Sequence, residues 1–160
     1  MIPSSIVYTN NAGASIELNE APPNFRYPVF EFEMPTYNES NPESKMQAPG
    51  EWPTFMFPRY RTFDISGAIL GNDAPDYNDA VGDLKQVIQP PYTFYETRRH
   101  GRLVLQFYGD GNSYYADVQL ASLSIPKQAN YPSVSDFTLS WRSFEPYLRN
   151  VAGGAVTTRY

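Results

Sequence analysis

The chain contains no cysteine, one histidine and no long apolar run, and each absence argues against a class of protein. Without cysteine it can form neither disulfide bonds nor thiolate metal sites. Because His100 is the only histidine, a Ser–His–acid triad or a histidine-rich metal site has little to build on, and we expect His100 in an exposed turn. No apolar run approaches the roughly 20 residues that span a bilayer, and no signal peptide is visible. The sequence therefore predicts a soluble protein, made in a cytoplasm, that does not bind membranes.

Motifs that bind phosphate or calcium are also missing. The sequence has neither G-x-x-x-x-G-K-[ST] nor G-x-G-x-x-G. Residues 72–79 are rich in Asn and Asp, but a calcium loop counted from Asp76 has Val81 where the sharp-turn glycine belongs and no glutamate at the twelfth position. We therefore predict that the protein is not an enzyme and that it holds no metal or cofactor.

Basic residues are too few to suggest a nucleic-acid-binding face. The chain has 12 Lys and Arg against 17 Asp and Glu, a net charge of −5. All of this excess lies in residues 1–58, which contain seven acids and only two bases, Arg26 and Lys45. Residues 59–160 contain equal numbers of acids and bases. A general nucleic-acid binder needs a basic surface, so this class is disfavoured. The acidic third is either a solvated loop or a surface with a basic partner.

Aromatic residues, in contrast, are abundant. They make up 16% of the 160 residues, with 13 Tyr and 10 Phe, within an apolar total of 41%. This length fits one domain, which we assign to residues 1–160. The composition indicates an ordinary globular core with an unusually aromatic surface or interface.

The segment around which the rest is organised is predicted to be a strand that leads into a helix. In residues 61–70 the period-2 pattern places Phe63, Ile65 and Ile69 on one face. Gly67 shares this buried face, and its missing side chain predicts a bulge or a close backbone approach.

Residues 76–89 have the apolar period of a helix. One helical face carries apolar residues at the spacing i, i+4, i+7 and i+8: Ala80, Leu84, Val87 and Ile88. Asp76 is the predicted N-cap and Asp79 a first-turn acid, and Pro90-Pro91 ends the helix. We expect this helix to pack on a sheet that the other strands complete.

The remaining predicted elements are strands and turns. Strand patterns occur in residues 2–9, 15–18, 26–34, 92–96, 102–108, 114–120 and 135–144. The fourth and fifth of these are predicted to form a hairpin in which Gly101 adopts positive φ. A bulge is expected near residues 121–122, and Phe137, Leu139 and Trp141 point inward from the last strand. The tail, residues 152–160, is expected to fray.

Residues 35–58 differ from the rest because five prolines interrupt them and no period is visible. Long irregular segments in compact domains tend to be functional or disordered. Trp52, Phe55 and Phe57 cluster near the end of this segment. We predict an extended irregular arm or loop, which either covers an edge strand of its own sheet or binds a partner.

The order of these patterns resembles the N-terminal domain of siphophage distal tail proteins. Residues 61–69 are similar to the strand of that domain with the pattern "r.i.i.G.i", and residues 76–89 to its helix. Residues 114–123 and 137–147 resemble its last two strands, which commonly end in Asp-Pro-Tyr. Glu145 replaces the aspartate here. The similarity covers roughly residues 60–147.

This resemblance implies a mainly β fold with one helix, a β-sandwich or split β-barrel like that of tail tube proteins. It also implies a structural virion protein that forms a homo-oligomeric ring, most commonly a hexamer, at the distal end of a phage tail. Such a ring joins the tail tube to the hub or fibre proteins, and DNA passes through its lumen. The open alternatives are a tail tube or other minor tail protein and, outside this class, a carbohydrate-binding module whose tyrosines stack on sugars.

A ring requires contacts between subunits, and we predict that the arm lies on a neighbour. Interface centres favour aromatic residues and arginine. The hairpin arginines could meet acids of the arm across such a contact. The predicted interface residues are Glu43, Glu51, Trp52, Phe55, Phe57, Arg98, Arg99 and Arg102.

Overall fold

A computed structural model describes residues 1–23, 25–34, 61–89, 100–126, 133–143, 145, 148–151 and 156–157. Over these residues the protein forms nine strands and one helix, and every strand pair is antiparallel. In chain order the elements are β1 (Ser5–Asn10), β2 (Ser15–Leu18), β3 (Val29–Glu33), β4 (Arg61–Leu70), α1 (Ala74–Ile88), β5 (His100–Gln106), β6 (Ser113–Ser124), β7 (Val134–Ser143), β8 (Leu148–Asn150) and β9 (Val156–Thr157). The predicted fold class, mainly β with one helix in a sandwich-like arrangement, is confirmed.

The strands form one open sheet in the order β2-β1-β5-β6-β7-β4-β3. The long strand β6 pairs with β5 along its first half and with β7 along its second half. The short strand β8 pairs with the start of β6, and β9 pairs with β8. The N-terminal hairpin β1–β2 is thus attached to the rest of the sheet through β5, a strand from the middle of the chain.

Alternation along the strands builds the core. In β4, Phe63, Ile65 and Ile69 are buried on one face, whereas the polar residues of the other face are half-buried: Thr62, Asp64 and Ser66. The inward-facing residues of the other long strands follow the predicted registers: Leu103, Leu105, Phe107, Tyr114, Ala116, Val118, Leu120, Phe137, Leu139 and Trp141. The bulge predicted near residues 121–122 is present as a register shift between Leu120 and Ser122.

Gly67 makes the close backbone approach that its place on the buried face predicts. A Cβ at this position would lie 2.2 Å from the backbone oxygen of Pro28 and 2.9 Å from the ring of Phe137. The oxygen of Pro28 accepts a hydrogen bond from the amide of Ala68, which draws the two segments together. The accompanying bulge lies in β3, between Val29 and Glu31, and leaves Phe30 63% exposed.

The start of α1 corrects one prediction. The N-cap is Asp73, whose carboxylate accepts the amide of Asp76 at 2.9 Å, and Asp76 is the first-turn acid. The helix begins earlier than expected because Pro75 lies in its first turn, where proline loses no hydrogen bond. The helix ends at Ile88, as predicted from the prolines that follow.

The helix packs on the sheet through its predicted apolar face. Ala80, Leu84 and Ile88 are fully buried, and Val87 is partly buried against the same core. Two side chains donate hydrogen bonds to the helix backbone. The hydroxyl of Tyr27, just before β3, donates to the oxygen of Ala80, and the side-chain amide of Asn10, at the end of β1, donates to that of Val87. Burial raises the pKa of Tyr27 to about 12, so this hydroxyl keeps its proton at neutral pH.

The predicted hairpin between residues 92–96 and 102–108 is wrong for the second strand, which is the described one. The edges of β5 are occupied by β1 and β6, so β5 is an interior strand. Gly101 lies inside β5 and not in a turn. Its missing Cβ makes room for the ring of Tyr8 and the oxygen of Thr9, 2.5 and 2.6 Å from where that atom would be. The partner segment, residues 92–96, lies outside the described residues.

The chain after β7 is also more ordered than expected. β8 was not predicted, and its residues Arg149 and Asn150 pair with Tyr115 and Tyr114. In the tail, Val156 and Thr157 pair with β8, whereas the sequence predicted fraying there. β8 and β9 have only three and two residues, and they join the sheet through backbone hydrogen bonds. Strands this short show no recognisable alternation of apolar and polar side chains. Among the residues described, no helix is both long and apolar enough to cross a membrane.

Candidate functional site

The structure describes only one of the predicted interface residues, Arg102. The arm, residues 35–58, lies outside the described residues, and so do the other interface candidates: Glu43, Glu51, Trp52, Phe55, Phe57, Arg98 and Arg99. The predicted contact between the arm and the arginines therefore stays a prediction. His100 was expected in a turn, but its backbone forms the start of β5 and pairs with Gln119.

Arg102 is held in a fixed orientation on the outer face of the sheet. Its guanidinium donates to both carboxylate oxygens of Asp117, at 2.8 and 3.3 Å, and lies 4.3 Å from the ring centre of Tyr115. The bond to Asp117 raises the pKa of Arg102, which stays charged. Because both side chains of the pair are more than half exposed, this ion pair contributes little to stability, about 0.2–1 kcal/mol. Its main effect is to orient the guanidinium.

A second arginine–acid pair lies beside Tyr115, on the neighbouring strand β8 and the segment before it. Arg149 in β8 donates to Glu145 at 2.5 Å. Its interactions with Tyr115 and Glu145 raise the pKa of Arg149. Tyr115 thus interacts with both arginines, and each arginine is paired with an acid: Arg102 with Asp117 and Arg149 with Glu145. The result is a charge-balanced face with a tyrosine at its centre, suited to polar contacts and not to phosphate binding.

A second candidate site is a cleft of about 950 Å³ beside α1. One wall is β2 with the segment after it, and the other wall is the exposed side of the helix. Four acids and one base line it, together with a 43% exposed phenylalanine: Glu17, Glu20, Asp76, Asp83, Arg26 and Phe25. The volume is in the range of pockets that bind small ligands or single side chains. Its lining has a net negative charge.

Arg26 crosses this cleft between two helix acids. Its guanidinium donates to Asp76 and, at 3.4 Å, to Asp83. The amide of Asn72 and then Arg26 hold the pKa of Asp76 below its ordinary value, so Asp76 is ionised at neutral pH. Asp83 is the looser partner, with 60% of its side chain exposed. It is therefore the acid best placed to accept a second cation.

The sequence analysis missed this cleft, although it contains one signal for it. Asp76 and Asp83 are seven residues apart in a helix, which places them on one face two turns apart. The third member, Arg26, is 50 residues away from Asp76 in the chain, and nothing local predicts that contact. The spacing of the two acids could have indicated an acidic helix face but not its cation.

A third surface is apolar and lies at one end of the sheet. The amide of Ser4 bonds the oxygen of Gln106, and the amide of Val151 bonds that of Ser113, which is opposite Gln106. The ends of β1, β5, β6 and β8 therefore meet here. Four of the six large exposed apolar side chains among the described residues extend from these ends: Met1, Ile2, Tyr108 and Val151.

Within the described ranges there is no group of three or more His, Asp or Glu side chains that could hold a metal ion. The three candidate surfaces are an oriented charged face, an acidic cleft and an apolar sheet end. Comparison of the sequence with known protein families and with characterised proteins finds no match.

Proposed function

We propose that the protein is a structural component of a phage tail, which forms a homo-oligomeric ring at the distal end of the tail tube. One observation carries this proposal: the four segments that resemble distal tail proteins fold as one unit. β4 pairs with β7 along its whole length, and β7 pairs with β6. α1, which follows β4 in the chain, packs its apolar face on the core that these strands share.

Two surface properties support assembly. A large exposed apolar group on a soluble protein often marks a contact with another protein, and the sheet end with Met1, Ile2, Tyr108 and Val151 is such a group. The second property is charge. A duct for DNA should not bind phosphate, and the chain has a net charge of −5 with the described Arg102 already neutralised by Asp117.

In this proposal the ring contains six copies joined by head-to-tail contacts, and it links the tail tube to the hub or fibre proteins. It is assembled in the host cytoplasm and becomes part of the virion. DNA meets the ring only by passage through the lumen. A tail tube ring is the nearest alternative, and stacking of rings into tubes distinguishes it.

The test is the mass and shape of the purified full chain. Light scattering should give a mass near six times the 18.2 kDa subunit, and negative-stain electron microscopy should show closed rings. Long stacked tubes would favour the tail tube alternative. A monomer at all concentrations up to about 1 mM would overturn the ring proposal.

The arm requires a separate experiment because it lies outside the described residues. Deletion of residues 35–50 is expected to leave a folded subunit, judged by circular dichroism, that no longer forms the ring. An intact ring after this deletion would contradict the role of the arm and leave the ring proposal standing. The two ideas can therefore fail independently.

A carbohydrate-binding module is the second candidate, and Tyr108 is the observation that favours it. This side chain is 88% exposed at a turn, as aromatic platforms for sugars are. A monomer that binds oligosaccharides, with binding lost in Tyr108→Ala and retained in Tyr115→Ala, would support the module over the ring.

A further inference from the structure

We propose that the cleft between β2 and α1 binds an extended, arginine-bearing peptide segment of a partner protein, which adds to the open edge of β2. This inference stands apart from the ring proposal, because it rests only on the walls of the cleft. Three independent features of these walls carry it: an open strand edge, a loosely neutralised acid, Asp83, and a half-exposed aromatic ring.

The open edge comes from the position of β2 in the sheet. β2 is the last strand on its side, and within the described part of the chain it pairs only with β1. Ser15, Ile16 and Glu17 of this strand line the cleft. In an antiparallel edge strand, alternate backbone N–H and C=O groups point away from the neighbour, and such an edge is a template for another strand. The cleft therefore offers backbone hydrogen bonds to a peptide.

Charge determines which peptide fits. Glu17, Glu20, Asp76 and Asp83 face the cleft, and Arg26 is the only base among the residues that line it. Arg26 is bonded mainly to Asp76, while its contact with Asp83 is long, at 3.4 Å. A second guanidinium can bond Asp83 without displacing Arg26 from Asp76. The net negative lining selects a basic side chain and repels an acidic one.

Phe25 favours arginine over lysine. Phe25 lines the cleft and is 43% exposed, so its ring is accessible to a ligand. A planar guanidinium stacks on an aromatic face and can bond a carboxylate in its own plane at the same time. A lysine ammonium is a compact point charge without a planar fork, so it matches this combination of partners less well. The occupant is therefore an extended segment with one arginine that lies between Phe25 and Asp83.

The experiment is a titration of the ¹⁵N-labelled full chain, monitored by NMR, with the peptide acetyl-Thr-Val-Arg-Val-Thr-amide. Perturbed amides should include those of β2 and of residues 83–87 in α1. The matched peptide has citrulline in place of arginine, which keeps the shape and removes the charge. We expect at least fivefold weaker binding for citrulline, and a similar loss for a peptide N-methylated at alternate amides, which cannot pair with β2.

Variants locate the site. Asp83→Asn should weaken binding of the arginine peptide at least fivefold and leave binding of the citrulline peptide unchanged. The control is Glu31→Gln, which removes an exposed acid from β3, outside the cleft, and should change neither. Thermal melts verify that both variants are folded. Absence of binding at 5 mM peptide, equal affinity for both peptides, or perturbations confined to other surfaces would overturn the proposal.

Discussion

The rings of Tyr8 and Trp141 stack with their centroids 5.4 Å apart and their planes inclined by 24°, although β1 and β7 are not neighbours in the sheet. β5 and β6 lie between them, so in a flat sheet the two backbones would be roughly 14 Å apart. Both side chains are buried, at 1% and 0% exposure. The sheet therefore curls enough for two distant strands to share one aromatic core.

Gly101 makes this contact possible. It lies in β5, and the ring of Tyr8 occupies the space of its missing Cβ. Tyr8 can thus lie flat across its neighbouring strand and reach Trp141. The glycine that the sequence suggested for a turn is needed instead for close packing inside the sheet.

Trp141→Ala should lower the free energy of unfolding by about 3–5 kcal/mol, because it removes a fully buried aromatic side chain and leaves a cavity beside Tyr8. Urea unfolding measures this loss. The control is Arg142→Ala, an exposed neighbour in the same strand, for which we expect a much smaller change. Equal effects of the two substitutions would contradict the central position of Trp141.

Leu84→Asp should abolish soluble folding. Leu84 is fully buried at the centre of the helix face that packs on the sheet. An unpaired buried carboxylate costs several kcal/mol, which is comparable to the whole stability of a small domain. Gly82→Asp is the matched control, because residue 82 is exposed and a Cβ there would meet no atom within 4 Å. Near-normal melting of Leu84→Asp would show that the helix is not packed in this way.

Gly67→Ala and Gly82→Ala should change stability in opposite directions. At position 67 the new methyl would lie 2.2 Å from a backbone oxygen, so strands must shift, at a cost of about 1–3 kcal/mol. At position 82 the space is open, and alanine in a helix is more favourable than glycine by about 0.5–1 kcal/mol. Chemical denaturation compares both variants. A stabilising effect at position 67 would refute the close approach of β4 to Pro28.

The stability contributed by Asp76 should disappear in acid. The amide of Asn72 and Arg26 hold its pKa below the ordinary 3.8, so the folded state favours the ionised form more than the unfolded state does. This stabilisation is fully present above about pH 4 to 5, and it is lost as the pH falls through the lower folded pKa. Asp76→Asn should therefore melt earlier than the unmodified protein at pH 7.

The difference in melting temperature should then shrink toward zero below the folded pKa, where both side chains are neutral. Asp79→Asn, an exposed acid on the same helix, is the control, and its melting difference should be smaller at pH 7. A difference for Asp76→Asn that stays constant from pH 7 to pH 2 would show that the charge of Asp76 does not act in this way.

Much of the local structure was predictable because its cause is local. The alternation in β4, β6 and β7 reflects one buried face per strand, and a strand that is half-buried needs this pattern wherever its partners lie. The apolar period of α1 follows from the same logic. The position of Gly67 on a buried face was sufficient to predict a close approach, since a gap in an apolar row must be filled by another part of the chain.

The candidate sites were much less predictable. Arg102 was expected at the start of a hairpin strand, whereas it lies in an interior strand and is bonded to Asp117. The cleft forms because Arg26 lies beside α1, a contact between residues far apart in the chain. The N-cap is Asp73 and not Asp76 because Pro75 is accepted in the first turn of the helix. The positions of Arg102 and Arg26 depend on contacts between distant parts of the chain. The N-cap depends on a choice between two nearby aspartates.

By itself, the sequence determined which residues of each long strand and of the helix face inward. Burial of one face imposes a regular spacing of apolar residues, and this spacing is visible within each segment alone. Only the tertiary structure decided which strands are neighbours, that β5 joins β1 to β6, and that Tyr8 reaches Trp141. Strand pairing uses backbone hydrogen bonds that are the same for every residue, so the sequence carries little record of the partner. The order of the strands follows from how all the inward faces close around a single core.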